Sequence, residues 1–230
     1  MSRTVRTAAA VAALALALVW TTTARAADEP QPSPALAAAR KSVMAKYRAT
    51  AHPYSQAELI LDMKTFEEPA YIEFLVDILV PTAEKRYTYI IRHAIAEKIA
   101  ELQDPEVIKY AIERGLGSPR PHVREVFAYG MRLSKTDAAR EGILKAIQDR
   151  DKDVRHEGVL GAGKVRDPRV VQGLIDCLSV IYKDFHPDVQ NALMEVTGCV
   201  IRPSQKSWQT WWDENKEKVK TLPVPEADRV

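Results

Sequence analysis

A short signature returns along this chain at nearly even intervals. Ile91-Arg92, Val123-Arg124, Val154-Arg155 and Val189-Gln190 each open an apolar stretch with helical spacing, and their first members stand 32, 31 and 35 residues apart. Periods of that length belong to stacked helix pairs, in which no pair buries its apolar face alone. The clearest unit is residues 153–178, DVRHEGVLGAGKVRDPRVVQGLIDCL. Its first helix opens at Val154-Arg155, a turn follows at Asp167-Pro168, and a second helix carries Val170, Leu174 and Leu178. Shifted back by 63 residues, the same frame lays Ile91-Arg92 on Val154-Arg155, Asp104-Pro105 on Asp167-Pro168, and Val107 on Val170. Between these units lies His122-Val123-Arg124, with a second helix starting near Asp137. A pair over residues 55–80 lacks the Val-Arg opening.

Turn chemistry keeps the same phase. Asp104 and Asp167 are placed to accept hydrogen bonds from the unpaired amides of the next turn, while Pro105 and Pro168 occupy the first helical position, where a missing N–H is harmless. On the helix from Val154, residues 154, 158, 161, 162 and 165 share one stripe that must face neighbouring helices. Gly158, Gly161 and Gly163 lower helix propensity by about 2 to 3 kcal/mol together, which predicts close backbone approach there. Sustained period-two alternation and Asn-Gly or Asp-Gly hairpin turns are missing from the sequence. The fold class expected is therefore all-α.

The V-R-x-x-A-x-x-A-L-G-x-I-x-D-P-like pattern resembles HEAT repeats, the helix-pair solenoids related to armadillo repeats. The likeness covers about residues 55–219 and is strongest over 154–178. It implies a right-handed α-solenoid of about five stacked antiparallel helix pairs, residues 36–220, with a cap over 197–220. Val196-Thr197-Gly198 followed by Trp208, Trp211 and Trp212 looks like the closing segment of exported bacterial members of that family. Trp208, Trp211 and Trp212 share one helical face, suited to sealing a terminal repeat. The resemblance also implies that the motif arginine bonds an aspartate of a neighbouring turn. Asp149, five residues before Val154, is expected to serve Arg155; Asp184 holds the matching place before Val189 but faces Gln190.

Ahead of the repeats the chain reads as an export signal. Arg3 and Arg6 precede an apolar run over residues 8–20, and Ala24-Arg25-Ala26 has the small-x-small pattern of a cleavage site, predicting cleavage after Ala26. Thirteen apolar residues make about 20 Å of helix, short of the roughly 30 Å hydrocarbon core, so no membrane span is expected after cleavage. Residues 27–35 form a Pro-rich linker and 221–230 a flexible tail. Losing Arg3, Arg6 and Arg25 with residues 1–26 turns a formal charge of +2 into −1. That balance opposes a nucleic-acid partner. The expected location is the periplasm or outside the cell. Cys177 and Cys199 fall about eight residues apart in level along antiparallel helices, roughly 12 Å against a limit of about 7 Å for a disulfide, which favours two free thiols.

No catalytic or cofactor motif emerges. GxSxG, CxxC, HExxH and a phosphate loop are all missing from the sequence. His93 and Glu97 are one helical turn apart and His156 is equivalent to His93, but two repeats at roughly 10 Å each cannot share one ion, so no metal is expected. What remains is a surface. In HEAT-type proteins the motif helices line the concave side. The positions there that point away from the core stripe are His93, Glu97, Glu125, Tyr129, Arg132, His156, Leu160, Asn191 and Glu195. A polar column with Tyr129 and Leu160 as apolar anchors suits a protein or peptide partner. The expected function is a non-catalytic scaffold; the alternative is a HEAT-like lyase or other enzyme acting on a groove-bound ligand.

Overall fold

The computed structural model describes residues 29–82, 88–165, 167–202 and 204–220. The predicted export signal and the tail from 221 lie outside the described residues. Among the described residues every regular element is helical: α1 Pro34–Ala49, α2 Pro53–Leu61, α3 Pro69–Leu79, α4 Thr88–Ala100, α5 Pro105–Gly115, α6 Pro121–Leu133, α7 Ala139–Ala146, α8 Lys152–Val165, α9 Val171–Val180, α10 His186–Thr197 and α11 Gln205–Lys220. The protein is all-α.

Local chemistry sets the boundaries. Five of these helices begin on proline, whose fixed φ suits the first turn. The Asp104 carboxylate accepts the Glu106 amide at 2.8 Å and caps α5. Asp167 does the same for Arg169 at 2.9 Å, but here the chain makes a short 3₁₀ turn, Pro168–Val170, before α9 begins at Val171. Asp167 is fully buried and also chelates the Arg169 guanidinium, which tightens that first turn. The second helix expected near Asp137 starts at Ala139, with the Asp137 carbonyl accepting the Arg140 amide. Gly198 ends α10 at φ 69°, a left-handed conformation that favours glycine.

Alternate helices pack on one another. α2, α4, α6, α8 and α10 form one row in which each contacts the next; α3, α5 and α7 follow one another in a second row, as do α9 and α11. The register residues Ile91, Val123, Val154 and Val189 are all buried between the rows. Each such side chain contributes on the order of 1.5 to 3 kcal/mol. The first row is tight because small residues recur in it: Ala94, Ala96, Ala128, Gly130, Ala162, Gly163 and Ala192 are all buried. A Cβ on Gly130 would sit 2.6 Å from Ile99 of α4, and one on Gly163 would meet Ala192 and Glu195 of α10. Close approach also explains Gly158, which abuts the backbone of Ile147, and Gly161, which abuts Ile143.

At the C-terminal end Trp208 is fully buried and Trp212 nearly so, while Trp211 is partly covered and meets Trp208 edge-on at 5.7 Å. The Trp208 indole N–H donates to Gln190 Oε1 at 2.8 Å, and Gln190 Nε2 donates to the Ile201 carbonyl. Glutamine at the arginine register position thus ties α10 to α11. Cys177 is buried in α9 and Cys199 lies half-buried just beyond α10; both are free thiols.

Candidate functional site

The nine column residues all lie on α4, α6, α8 and α10, the consecutive helices of the first row. Each seam between these helices is bridged by side chains. Between α4 and α6, Arg92 Nη1 approaches Glu125 Oε2 at 3.7 Å and the His93 ring meets Tyr129 edge-on at 5.3 Å. Between α6 and α8, Arg132 Nε donates to Glu157 Oε2 at 2.7 Å, with the same guanidinium 4.6 Å from the Tyr129 ring. Between α8 and α10, His156 Nε2 lies 2.8 Å from Asp188 Oδ2, and its ring stacks on Phe185 at 3.6 Å.

These bridges sort the column into two kinds of residue. Tyr129, Arg132 and His156 are half-buried braces between helices, and Leu160 is half-buried too. Tyr129 is not the freely exposed anchor the helical wheel suggested, because the His93 edge and the Arg132 cation enclose it. His93, Asn191 and Glu195 are exposed, and the Glu97 and Glu125 side chains remain 43% and 38% accessible. His93 Nδ1 also faces Glu97 Oε1 at 3.2 Å within α4. Burial pushes the Glu125 carboxyl above its ordinary pKa; Arg92 opposes this, while Asp153, Glu157 and Asp151 add to it.

The partner of Asp149 is not the arginine expected. Asp149 pairs with Arg124, not Arg155, through two bonds of 2.8 and 2.9 Å, and Arg124 Nη1 also donates to the Ser118 carbonyl at 2.9 Å. Arg124 reaches forward to the turn ahead of α8, so its partner lies 25 residues downstream. Both side chains are at most one-tenth exposed, and the bonds to Asp149 push the Arg124 pKa up against burial. Ser118, five residues before Val123 as Asp149 is before Val154, offers Arg92 no acid at the matching place. The Nε atoms of Arg92 and Arg155 are buried without a partner, as is His122 Nε2. Burial first, and the nearby Arg92 charge second, lower the His122 pKa.

Sequence reasoning missed Glu157 and Asp188, the acids that close two seams. One signal was available: Arg132 precedes Glu157 by the same 25 residues that separate Arg124 from Asp149. Two open clefts of about 430 and 420 Å³, one beside Tyr110 and one beside Lys145, contain none of the nine column residues. Among the described residues no group of three or more His, Cys, Asp or Glu is arranged to hold a metal ion, and no helix is long and apolar enough to cross a membrane. Neither the protein-family models nor the curated proteins compared with this chain match it.

Proposed function

We propose that the chain is an exported, non-catalytic α-solenoid of the HEAT type whose concave face holds a protein or peptide partner in the envelope or outside the cell. The alternating rows support the solenoid reading. Packing is continuous from α2 to α10 in the first row, whereas in the second row it is loose between α7 and α9. A stack held more closely along one row bends toward that row, which supports taking the face of α4, α6, α8 and α10 as the inner one. The Arg3–Ala26 signal pattern supports export.

The observation that carries the binding reading is the bridging of successive seams by Arg92–Glu125, Arg132–Glu157 and His156–Asp188. Such bridges fix the spacing of the side chains that stay accessible, His93, Glu97, Asn191 and Glu195. A partner then meets a face that needs little ordering, which is where affinity is otherwise lost. Partner recognition falls to the accessible residues, and Tyr129, Arg132, His156 and the half-buried Leu160 support them.

A photo-crosslinking residue placed at His93 or Asn191 of the tagged full chain tests the reading, with Lys109 on α5 as the outer control. One polypeptide captured from the inner positions and not from Lys109 is the expected result. Equal labelling from both sides, or none from the inner face, overturns it. Fractionation of the same protein, with sequencing of its new amino terminus, is expected to give an envelope or extracellular species starting at Ala27.

A further inference from the structure

Arg124 shows what a register arginine does when its acid is in reach: it takes Asp149, five residues before the next register valine, in a two-bond clasp. The next arginine, Arg155, has no such clasp. Its Nε is buried and unpartnered, and Nη2 makes only a long 3.4 Å bond to the Arg150 carbonyl. Yet an acid stands in the corresponding place. Asp184 lies five residues before Val189, in the three-residue 3₁₀ turn Lys183–Phe185 between α9 and α10, and it is exposed and forms no ion pair.

The turn is held to α8 on either side of that gap. Tyr182 lies 4.7 Å from the Lys152 ammonium, and Phe185 stacks on His156. Lys152 and His156 are one helical turn apart on α8, with Arg155 between them in sequence. The Arg155 charge is also felt by the buried Cys177 thiol on α9, the helix that leads into the turn. Arg155 and Asp184 are thus opposite charges of one junction, neither in an ion pair, with Lys183 of the turn the other charge left open there. The segment from the end of α9 to the start of α10, residues 181–185, is as long as residues 147–151 ahead of α8, the stretch that carries Asp149.

We infer that the Lys183–Phe185 turn is a strap with a second seating, in which Asp184 closes on Arg155 and locks α8 to α10. The open seating leaves Tyr182 about half exposed; the closed one draws the turn onto α8. This inference rests on intramolecular contacts and stands whether or not the face binds a partner.

A double-mutant cycle on the full chain tests it, using Arg155→Met, Asp184→Asn and the pair, with the unfolding equilibrium read by urea denaturation. If the strap closes, each single change lowers the folding constant. The double change is then no worse than the poorer single, a coupling of roughly two- to five-fold. If Arg155 stays unpartnered, Arg155→Met removes a buried unsatisfied donor, so stability holds or rises and the cycle is additive. That outcome overturns the strap. Should Arg155→Met fail to fold, amide exchange over residues 182–186 decides. Faster exchange in Asp184→Asn than in wild type is expected, and identical exchange refutes the closed seating.

Discussion

Arg124 and Asp149 form the most enclosed ion pair described, and burial makes such a pair sensitive to one-sided damage. Asp149→Ala leaves a guanidinium in the interior with only the Ser118 carbonyl, and is expected to destabilise by about 3 to 5 kcal/mol in chemical denaturation. Asp167 offers a pH test. Burial opposes its charge, but the Arg169 guanidinium and amide, helped by Arg140, overcome this and hold the carboxyl below its ordinary 3.8. A carboxylate with a depressed folded pKa contributes stability that is fully present above its unfolded value and disappears as pH falls through the folded one. Wild type is therefore expected to lose stability below about pH 4 more steeply than Asp167→Asn, measured by thermal denaturation across that range. The sequence marked Asp167 as a cap because its Pro neighbour fixes the local frame. It could not give the partner of Asp149, since which turn a long arginine reaches depends on how successive units are offset.

The helices of the first row owe their spacing to small residues, and the glycines differ in what they tolerate. Gly158→Ala would drive a Cβ to 2.5 Å from the Ile147 backbone nitrogen, which cannot swing aside as a side-chain tip would. A loss of about 1 to 3 kcal/mol is expected. At Gly198 nothing lies within 4 Å of an added Cβ, so Gly198→Ala carries only the left-handed backbone strain, about 1 to 2 kcal/mol. Calorimetry on the two variants should rank them in that order. Element phase was readable because Val-Arg openings and Asp-Pro turns act locally. The half-buried state of Tyr129 was not, because a helical wheel says which side a residue faces and not what the next helix brings to it.

For the whole molecule, the proposed solenoid makes the ends matter most, since mutually dependent pairs must be closed somewhere. Trp208→Ala removes a fully buried indole of α11 together with its bond to Gln190 on α10, a loss of about 3 to 5 kcal/mol. The damage is expected first in α10 and α11, visible as faster amide exchange there than in α4. The gathering of indoles at one end has a spectroscopic consequence as well. Apart from Trp20, every tryptophan sits in α11, so in a protein prepared without residues 1–26 intrinsic fluorescence reports a single terminus while far-ultraviolet dichroism averages every helix. Unravelling from either extremity would split the two denaturation midpoints, and coincident midpoints would mark all-or-none melting, so an unlabelled sample in a cuvette can tell a zipper from a block.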